Sequence, residues 1–293
     1  MDLSIVIPHL NRISSLKICL SSIPVAAGTL SYEIIVVDNG SSDGSQEMVK
    51  DFFQKVCLLQ NKTNEGFGRA VNRGLRRGQG HYLLCLNNDT TLFPRSLETL
   101  VDFMEKHPEA GVSGGKIFNP DRSIQPSARS FPGIGTAFFN RSALLTRLFP
   151  KNPFSRRYLL NEWDHNSVRE VDWVSGSFFL IRGSLAEKIG LFDERFFLYC
   201  EDVDYCRRAK EAGYRIYYVP EAQIIHDTGY SEMKMSTLFF HHQSMYRFYK
   251  KHLSKNPLWD TAVLGGVTLR FTVGATFLAG QKLFWRGKNG GAP

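Results

Sequence analysis

Short apolar runs alternate with helical patterns over the first 90 residues, and this alternation constrains the fold more than any other feature of the sequence. Four runs have the character of strands buried on both faces: residues 3–7, 33–37, 56–59 and 82–86. Apolar residues recur every three or four positions from Leu10 to Ile23, and again from Leu97 to Met104, as along one face of a helix. The second helix is expected to begin at Pro94, since proline suits the first helical position. This rhythm predicts an α/β fold with a mostly parallel, Rossmann-like central sheet flanked by helices.

The later part of the chain is less regular. Residues 120–170 lack a clear period, and we expect them to form long loops around a site. The remaining elements expected from apolar patterning are strands at 177–181, 215–219 and 222–225 and helices at 201–212, 236–253 and 257–286. The last two helices would form a C-terminal helical extension.

The composition excludes several classes of protein. Of the 293 residues, 43% are hydrophobic and 22% are charged, which is typical of a globular chain and not of a disordered or collagen-like one. The length corresponds to about two domains, or to one enlarged α/β domain with an appendage. The five cysteines form no C-x-x-C pair, and the first apolar run is too short for a signal-peptide core. Both observations favour a cytoplasmic protein with reduced thiols.

Most of the net charge lies near the C-terminus. The formal net charge is +8, and the segment from Arg247 onward holds eight basic residues and one acidic residue. Its aromatic and leucine side chains suit an anionic membrane surface better than a nucleic-acid groove, so no nucleic-acid partner is expected. Only 11 uncharged residues separate Arg270 from Lys282, too few to span a bilayer. We expect residues 233–293 to form a basic amphipathic membrane-association segment, peripheral on the inner face of the membrane; the alternative is a basic helix packed on the body.

Polar residues follow three of the predicted strands, as residues 8–12, 38–44 and 87–89. Parallel sheets bind ligands at the carboxyl ends of their strands, so we expect these groups to meet in one crevice that could hold a nucleotide. The sequence has no P-loop and no complete dinucleotide fingerprint to hold phosphate. A divalent cation held by a carboxylate is therefore expected to neutralise it, and Asp89 is suitably placed.

Seven motifs together resemble the family 2 glycosyltransferases of GT-A fold, and are most similar to their rhamnosyltransferase-like members. In chain order they read SIVIPHLNR, VVDNGSSDGS, NEGFGRAVNRG, LLCLNNDT, VDWVSGSFFLIR, FDERFFLYCEDVDYCRRAKEAGY and IIHDTGYS. They cover roughly residues 2–232, so the resemblance implies a GT-A domain at 1–232 followed by the C-terminal segment at 233–293.

The resemblance also implies roles for individual residues. Five would bind the nucleotide: Pro8, Asn11, Asp38, Arg69 and Asn88. Asp89 and His226 would ligate Mg²⁺ or Mn²⁺ at the diphosphate. Asp202 would be the catalytic base with Glu201 in support, and Trp173 and Gly176 would line the donor–acceptor pocket.

The sequence departs from the family pattern at two places. His9 and Leu10 replace a small residue and a tyrosine, which leaves the nucleoside contact there open. Asn87 stands where many members have the first aspartate of a D-x-D motif, and we interpret it as a character of the rhamnosyltransferase-like branch.

The expected reaction is an inverting, metal-dependent transfer of a sugar, L-rhamnose from dTDP-rhamnose in the first instance, to a lipid-linked or polysaccharide acceptor in bacterial cell-surface glycan synthesis. Galactofuranose or a UDP-hexose is the alternative donor sugar. A nucleotidyltransferase is disfavoured because no glycine-rich loop follows the first strand. A non-catalytic nucleotide-sugar binding or scaffold protein remains the alternative of a different class.

Several site residues also have a purely structural interpretation. Glu201 and Asp202 open a predicted helix, where acidic side chains complement the helix dipole. Asp38 could cap a turn, and a lone histidine such as His226 is often structural.

Overall fold

The computed structural model describes residues 1–133, 158, 160, 163–228 and 234–289, with side chains up to Gln281. Within it the chain divides into two compact units. The first comprises Met1–Arg195 and Glu201–Thr228, and the second comprises Phe196–Cys200 and Gly229–Pro293. The predicted boundary after residue 232 lies outside the described residues, as do residues 134–157 of the predicted loop segment 120–170.

The described residues form twelve strands. They are β1 (Leu3–His9), β2 (Tyr32–Asp38), β3 (Cys57–Gln60), β4 (Tyr82–Leu86), β5 (Thr90–Leu92), β6 (Ala110–Phe118), β7 (Ile124–Gln125), β8 (Ala128–Arg129), β9 (Arg169–Val171), β10 (Trp173–Val174), β11 (Phe178–Arg182) and β12 (Arg215–His226). The main sheet has the order β3-β2-β1-β4-β11-β6-β12-β5, with β7 beside β6 and β9 beside β12. Strands β8 and β10 form a separate two-stranded sheet.

Eight helices accompany these strands. They are α1 (Ile13–Ala27), α2 (Ser45–Phe52), α3 (Phe67–Leu75), α4 (Ser96–Lys106), α5 (Gly183–Ile189), α6 (Glu201–Glu211), α7 (Met235–His252) and α8 (Pro257–Asn289).

The sheet is mostly parallel, and the predicted α/β architecture is confirmed. Strands β3, β2, β1 and β4 run parallel to one another, and β12 runs parallel to β6. Strand β11 lies antiparallel between β4 and β6. Because β1, β2, β4 and β12 share one direction, their carboxyl ends meet at one edge of the sheet, where polar side chains can converge.

The apolar runs are continuous because helices cover both faces of the sheet. Alternate residues of β1 point to opposite faces. Leu3, Ile5 and Ile7 join the apolar cluster formed with α1 and α4. Val6 joins a second cluster that includes residues of α3 and α6. A strand that is buried on both sides does not alternate apolar with polar residues. It therefore shows in the sequence as a continuous apolar run.

Strand β6 is central and buried, yet its sequence (AGVSGGKIF) does not signal a strand. Its glycines are required by close packing: a Cβ atom on Gly115 would lie 2.2 Å from the carbonyl oxygen of Ala222 and 2.6 Å from the Phe178 ring. Small residues bring the backbones together here at the cost of the apolar pattern on which sequence-based recognition of strands depends.

Two predicted boundaries are corrected. The expected strands at 215–219 and 222–225 are one continuous strand, β12, with a shift in register against β6 between Val219 and Gln223. Pro220 lies in this interval and has no backbone N–H to donate to the ladder, so the pairing is interrupted without ending the strand. Helix α4 begins at Ser96, not at Pro94.

The second unit contains the two C-terminal helices, close to their predicted bounds. Phe271 of α8 packs edge-on against Phe239 and His242 of α7. Residues Pro257–Gln281 of α8 are long and apolar enough to cross a membrane, by length and composition, and none of the most apolar window is buried. The count of 11 uncharged residues missed this property because Arg270 divides the apolar stretch that lies between Asp260 and Lys282.

Candidate functional site

Three strands of the first unit end in the predicted polar residues. Asp38 is the last residue of β2, His226 is the last residue of β12, and Asn87 directly follows β4. Parallel pairing places His9 of β1 opposite Asp38. The sheet therefore gathers at one edge side chains that are nearly 190 residues apart in sequence.

Asp38 is buried and has one carboxylate oxygen without a hydrogen-bond partner. Its Oδ2 atom accepts hydrogen bonds from the backbone N–H groups of Gly40 (3.3 Å) and Ser41 (3.1 Å) and from Gln46 Nε2 (2.7 Å). Within the described part of the chain, no donor reaches the buried Oδ1 atom. The loop thus fixes one oxygen of Asp38 and leaves the other able to accept a hydrogen bond from a ligand.

His9 explains one departure from the family pattern. Its Nε2 lies 2.8 Å from Ser45 Oγ, and its Nδ1 lies 2.7 Å from Asn88 Nδ2. Because an amide nitrogen only donates, Nδ1 accepts from Asn88 and Nε2–H donates to Ser45. Burial lowers the pKa of His9 against the opposing charge of nearby Asp38, so the ring is neutral at pH 7. His9 therefore links the first strand to Asn88 and to the start of α2.

The other predicted nucleotide residues have different surroundings. The side-chain oxygen of Asn11 accepts a hydrogen bond from the Ser42 N–H, and Pro8 pairs with Val37 in the sheet, so both adjoin the loop after Asp38. Arg69 does not join this group. Its side chain is 56% exposed, and its Nε atom lies 3.7 Å from Glu194 Oε2.

Asp89 and His226 are in contact, as predicted. Asp89 Oδ1 lies 3.1 Å from His226 Nε2. His226 Nδ1 lies 2.8 Å from Gln125 Oε1, which can only accept, so the ring proton is on Nδ1 and the lone pair is on Nε2. Nε2 also accepts from Asn87 Nδ2 at 3.1 Å.

This geometry fits a cation. The Asp89 Oδ1 atom is buried and receives no hydrogen bond from the described residues, although it faces the His226 lone pair. Two electron-pair donors in contact with no proton between them suit a metal ion. A side-chain oxygen that accepts from the other ring nitrogen and so fixes the tautomer, as Gln125 does here, is a common feature of metal sites. In the described part of the chain, however, no cluster of three or more histidine, cysteine or acidic side chains could hold a metal. The protein would supply these two coordinating atoms, and a bound substrate would supply the others.

Arg12 is a site residue that the sequence prediction did not assign. Its Nη1 atom donates to Asp89 Oδ2 at 2.7 Å, and its Nη2 atom donates to the Thr228 carbonyl oxygen at 2.7 Å. Arg12 follows Asn11 in the polar run after the first strand, and both residues have positive φ angles, 66° and 56°. Its position after a buried strand indicates a residue of the site. The sequence does not predict, however, that its side chain extends across the site to Asp89.

Asp202 and Glu201 form the opposite side of the site, at the first turn of α6. Asp202 Oδ2 accepts the backbone N–H of Gly176 at 2.9 Å, and Oδ1 accepts the N–H of Val203 at 2.8 Å. Asp202 is half-buried, whereas Glu201 is buried and its Oε2 atom has no hydrogen-bond partner among the described residues.

The two acids have perturbed pKa values. Burial raises the pKa of Glu201 well above its usual range, and the adjacent charge of Asp202 raises it further. Burial also raises the pKa of Asp202, while the hydrogen bonds from Gly176 and Val203 and the charge of Arg129 oppose that rise. Glu201 therefore holds a proton more firmly than Asp202 does, and Asp202 is the better candidate for a carboxylate at neutral pH.

A short series of hydrogen bonds connects the two sides. The carbonyl oxygen of Ser177, next to Gly176, accepts the backbone N–H of Asn87 at 3.1 Å. Asn87 in turn contacts His226. Trp173 lies on β10, three residues before Gly176, and donates its indole N–H to the Ser130 carbonyl oxygen at 2.9 Å. The predicted base and the predicted metal ligands thus belong to one connected site.

Comparison with known proteins agrees with this architecture. The family model described as Glycosyl transferase family 2 matches residues 4–188. An N-acetylglucosaminyl-diphospho-decaprenol L-rhamnosyltransferase of Mycobacterium tuberculosis is 34% identical over 254 residues, which are 82% of this chain and 80% of that protein. Rhamnosyltransferase WbbL of Escherichia coli is 28% identical over 242 residues, which are 78% of this chain and 86% of that protein.

Solved structures share the fold at low sequence identity. A mannosyltransferase from Pyrobaculum calidifontis, in complex with GDP-Man and Mn²⁺, superposes with a TM-score of 0.58 at 17% identity, covering all of this chain and 76% of that one. GalNAc-T7 with UDP, GalNAc and Mn²⁺ gives a TM-score of 0.60 at 14% identity, covering 85% and 48%. The sheet and the family match define a glycosyltransferase of GT-A fold. The chain belongs to glycosyl transferase family 2 and is rhamnosyltransferase-like within it, as its motifs predicted.

The buried proton on Glu201 leads to a prediction about stability. A group whose pKa is raised in the folded state stabilises the fold below its unfolded pKa of about 4.5, and this contribution is lost as the pH rises through the folded value. Replacing Glu201 by the neutral, isosteric glutamine removes that loss. Glu201→Gln should raise the melting temperature by about 2–6 °C at pH 8, with a smaller difference at pH 5.

Thermal unfolding followed by circular dichroism at the two pH values tests this expectation. Glu187→Gln on α5 is the matched control, because Glu187 is exposed, and its effect should be the same at both pH values. A Glu201→Gln protein that is less stable than the wild type at pH 8 would contradict a protonated Glu201.

Proposed function

We propose that this glycosyltransferase is an inverting, divalent-metal-dependent enzyme that transfers a sugar from a nucleotide donor to a lipid-linked acceptor. The observation that carries the proposal is the connected arrangement of Asp89 and His226 on one side of the site and Asp202 on the other. Transfer from a nucleotide sugar requires charge stabilisation at the leaving diphosphate and a base at the acceptor hydroxyl, and these are the two chemistries that the two sides offer.

The proposed donor is dTDP-L-rhamnose. The support is that two relatives, one of them 34% identical over most of the chain, are named as rhamnosyltransferases. UDP-galactofuranose or a UDP-hexose is the alternative. For the acceptor, the M. tuberculosis relative's name specifies an N-acetylglucosaminyl-diphospho-decaprenol. We assign the same chemical class, a sugar on a polyprenyl diphosphate, to this protein, with a role in cell-surface glycan synthesis.

The nucleotide would bind along the carboxyl ends of β1, β2 and β4. Asp38 Oδ1, the carboxylate oxygen without a donor, accepts a hydrogen bond from the base. Asn11 and Asn88 lie next to each other beside this crevice, where Asn11 holds the loop after Asp38 and Asn88 contacts His9. Arg69 is kept as a weaker candidate, because its guanidinium is already paired with Glu194.

Asp89 Oδ1 and His226 Nε2 would hold Mg²⁺ or Mn²⁺ at the diphosphate. A bound divalent ion there supplies electrostatic stabilisation of the negative charge that develops on the leaving group. The protein's own contribution is to present the carboxylate and imidazole in a fixed orientation, through the hydrogen bond from His226 Nδ1 to Gln125 and the ion pair between Asp89 and Arg12.

Asp202 would remove the proton from the acceptor hydroxyl. Its two hydrogen bonds from backbone N–H groups fix its orientation, and they favour the ionised form that a base requires. Glu201, which retains its proton, adds no second negative charge beside it. One in-line displacement at the anomeric carbon inverts the configuration and needs no covalent nucleophile, and Trp173 and Gly176 line the space in which the two sugars meet.

Helix α8 would hold the enzyme on the inner face of the membrane. Its exposed residues include large apolar side chains such as Leu258, Trp259 and Phe277. Although residues 257–281 are long enough to cross a bilayer, Arg270 lies near the middle of that stretch, where a charged side chain is costly. A helix lying in the interface keeps this charge at the headgroups, and we therefore favour the interfacial position.

The assignment of the base is tested by Asp202→Asn. We expect kcat for sugar transfer to fall by about 10²- to 10⁴-fold, because the amide cannot accept the proton, while donor affinity stays unchanged. Product formation from dTDP-rhamnose and a lipid-diphosphate-linked N-acetylglucosamine is the measurement. Glu211→Gln, at the other end of α6, is the control. Equal rates for the wild type and Asp202→Asn would refute the assignment.

The metal site is tested by a donor screen using thermal shift, with dTDP-rhamnose, UDP-galactofuranose and UDP-hexoses, each with and without Mn²⁺. A donor that binds the folded state raises the melting temperature, and we expect dTDP-rhamnose to do so only with Mn²⁺. Asp89→Asn and His226→Gln should weaken this binding at least about tenfold, and the exposed Asp51→Asn should not. Metal-independent binding of the donor by the wild type would count against the site.

The membrane assignment is tested by truncation after Ser254, which removes α8. We expect the full chain to sediment with vesicles containing anionic phospholipid and to be released by alkaline carbonate, whereas the truncated chain stays in the supernatant. Resistance of the full chain to carbonate would indicate that α8 spans the bilayer instead. Sedimentation of the truncated chain would refute the role of α8.

A further inference from the structure

We infer that Arg129 binds the diphosphate of the acceptor, on the Asp202 side of the site. This inference rests on the proposed function, because it requires an acceptor whose sugar is carried on a diphosphate. Arg129 belongs to none of the seven family motifs, and it lies within residues 120–170, for which the sequence predicts loops.

Two aromatic rings hold the Arg129 side chain. Arg129 belongs to β8, where it pairs in the antiparallel ladder with Trp173 of β10. Its guanidinium carbon lies 5.6 Å from the centre of the Trp173 ring and 5.7 Å from the centre of the Tyr158 ring. Stacking on aromatic faces orients a guanidinium and leaves its N–H groups, which point outward from its edge, able to bind oxygen atoms in the same plane.

The charge of Arg129 has no anionic partner among the described residues. No carboxylate of that part of the chain lies within ion-pair distance, and the Nε atom is buried without a hydrogen-bond acceptor. Arg182, Arg207 and Arg208 also stack on aromatic rings, but each donates to a carboxylate or to carbonyl oxygens as well. A buried donor without an acceptor is costly, so a site of this kind is completed by a ligand that supplies oxygen atoms.

The surroundings of Arg129 place the missing anion beside the base. Arg129 pairs with Trp173, and Gly176, three residues after Trp173, donates its backbone N–H to Asp202. The charge of Arg129 also opposes the rise that burial causes in the pKa of Asp202. Gln125, which fixes His226, is four residues away along the chain, a separation of at most about 14 Å. A second anion at Arg129 would therefore lie within one substrate complex with the donor diphosphate, but near a different carboxylate.

The acceptor chemistry supplies such an anion. When the hydroxyl of a diphosphate-linked sugar approaches Asp202, the diphosphate on the same sugar lies about one ring away. Arginine binds phosphate oxygens in a bidentate manner that lysine cannot reproduce.

The test compares two acceptors. One is N-acetylglucosamine on a short polyprenyl diphosphate, and the other is the same sugar on an uncharged alkyl group. For Arg129→Gln we expect KM for the diphosphate acceptor to rise about 10- to 100-fold, with Arg129→Lys intermediate. The KM for the donor and the rate with the uncharged acceptor should change less than threefold. Arg169→Gln is the matched control, because Arg169 stacks on Trp163 but is exposed.

The outcomes separate this inference from its alternatives. Equal losses with both acceptors, together with a shifted acid limb of the kcat–pH profile, would mean that Arg129 acts only on Asp202. A raised KM for the donor would place Arg129 at the donor diphosphate. Either result overturns the inference. If Arg129→Gln fails to fold, Arg129→Lys keeps the test, since it should lose affinity for the diphosphate acceptor alone.

A direct binding measurement separates failure of this inference from failure of the proposed function. Isothermal titration of the diphosphate acceptor into the full-length protein, with EDTA and without donor, requires no transfer. Tighter binding by the wild type than by Arg129→Gln supports the anion site even if no rhamnose is transferred, and equal binding overturns it.

Discussion

The hydrogen bond from the Gly176 N–H to Asp202 is the interaction on which the site depends. It joins the first turn of α6 to the connection between β10 and β11, and Ser177 in that connection is bonded to the backbone of Asn87. Asn87 reaches His226 at the end of β12. Segments separated by more than 100 residues are joined in this way by a few polar contacts, which hold the proposed base and the proposed metal ligands in one arrangement.

The sequence predicted the fold better than it predicted the site. Strands β1 and β4 are legible because burial on both faces requires continuous apolar runs, whereas β6 is hidden because close packing at Gly115 requires small residues. In the site, Asp38 and Asp89 could be placed from their positions after buried strands. The roles of His226 and Asp202 were predicted only from the family resemblance. An isolated histidine, or an acid at the start of a helix, is more often structural and does not by itself indicate a site.

The remaining site residues depend on tertiary contacts that have no local signature. Gln125 and Arg129 belong to strands of two residues, too short for any period to be visible, and Arg12 acts through the reach of a long side chain. Two carboxylates of the site have an arginine on their side: Arg12 pairs with Asp89, and Arg129 lies on the Asp202 side of the site. Two separate positive charges suit a reaction in which both substrates are anionic, because each arginine can orient one of them.

Asn87 has a thermodynamic consequence for the proposed enzyme. With an amide in place of the first acid of the D-x-D motif, the protein offers the cation only one carboxylate and one imidazole in the described part of the site. The remaining ligands would come from the diphosphate of the nucleotide, so each partner completes the binding site of the other. Occupancy by ion and nucleotide is then cooperative and reciprocal: whatever factor the ion adds to nucleotide affinity, the nucleotide adds to ion affinity. Cellular supply of the sugar nucleotide would thereby control how much of the enzyme carries its ion.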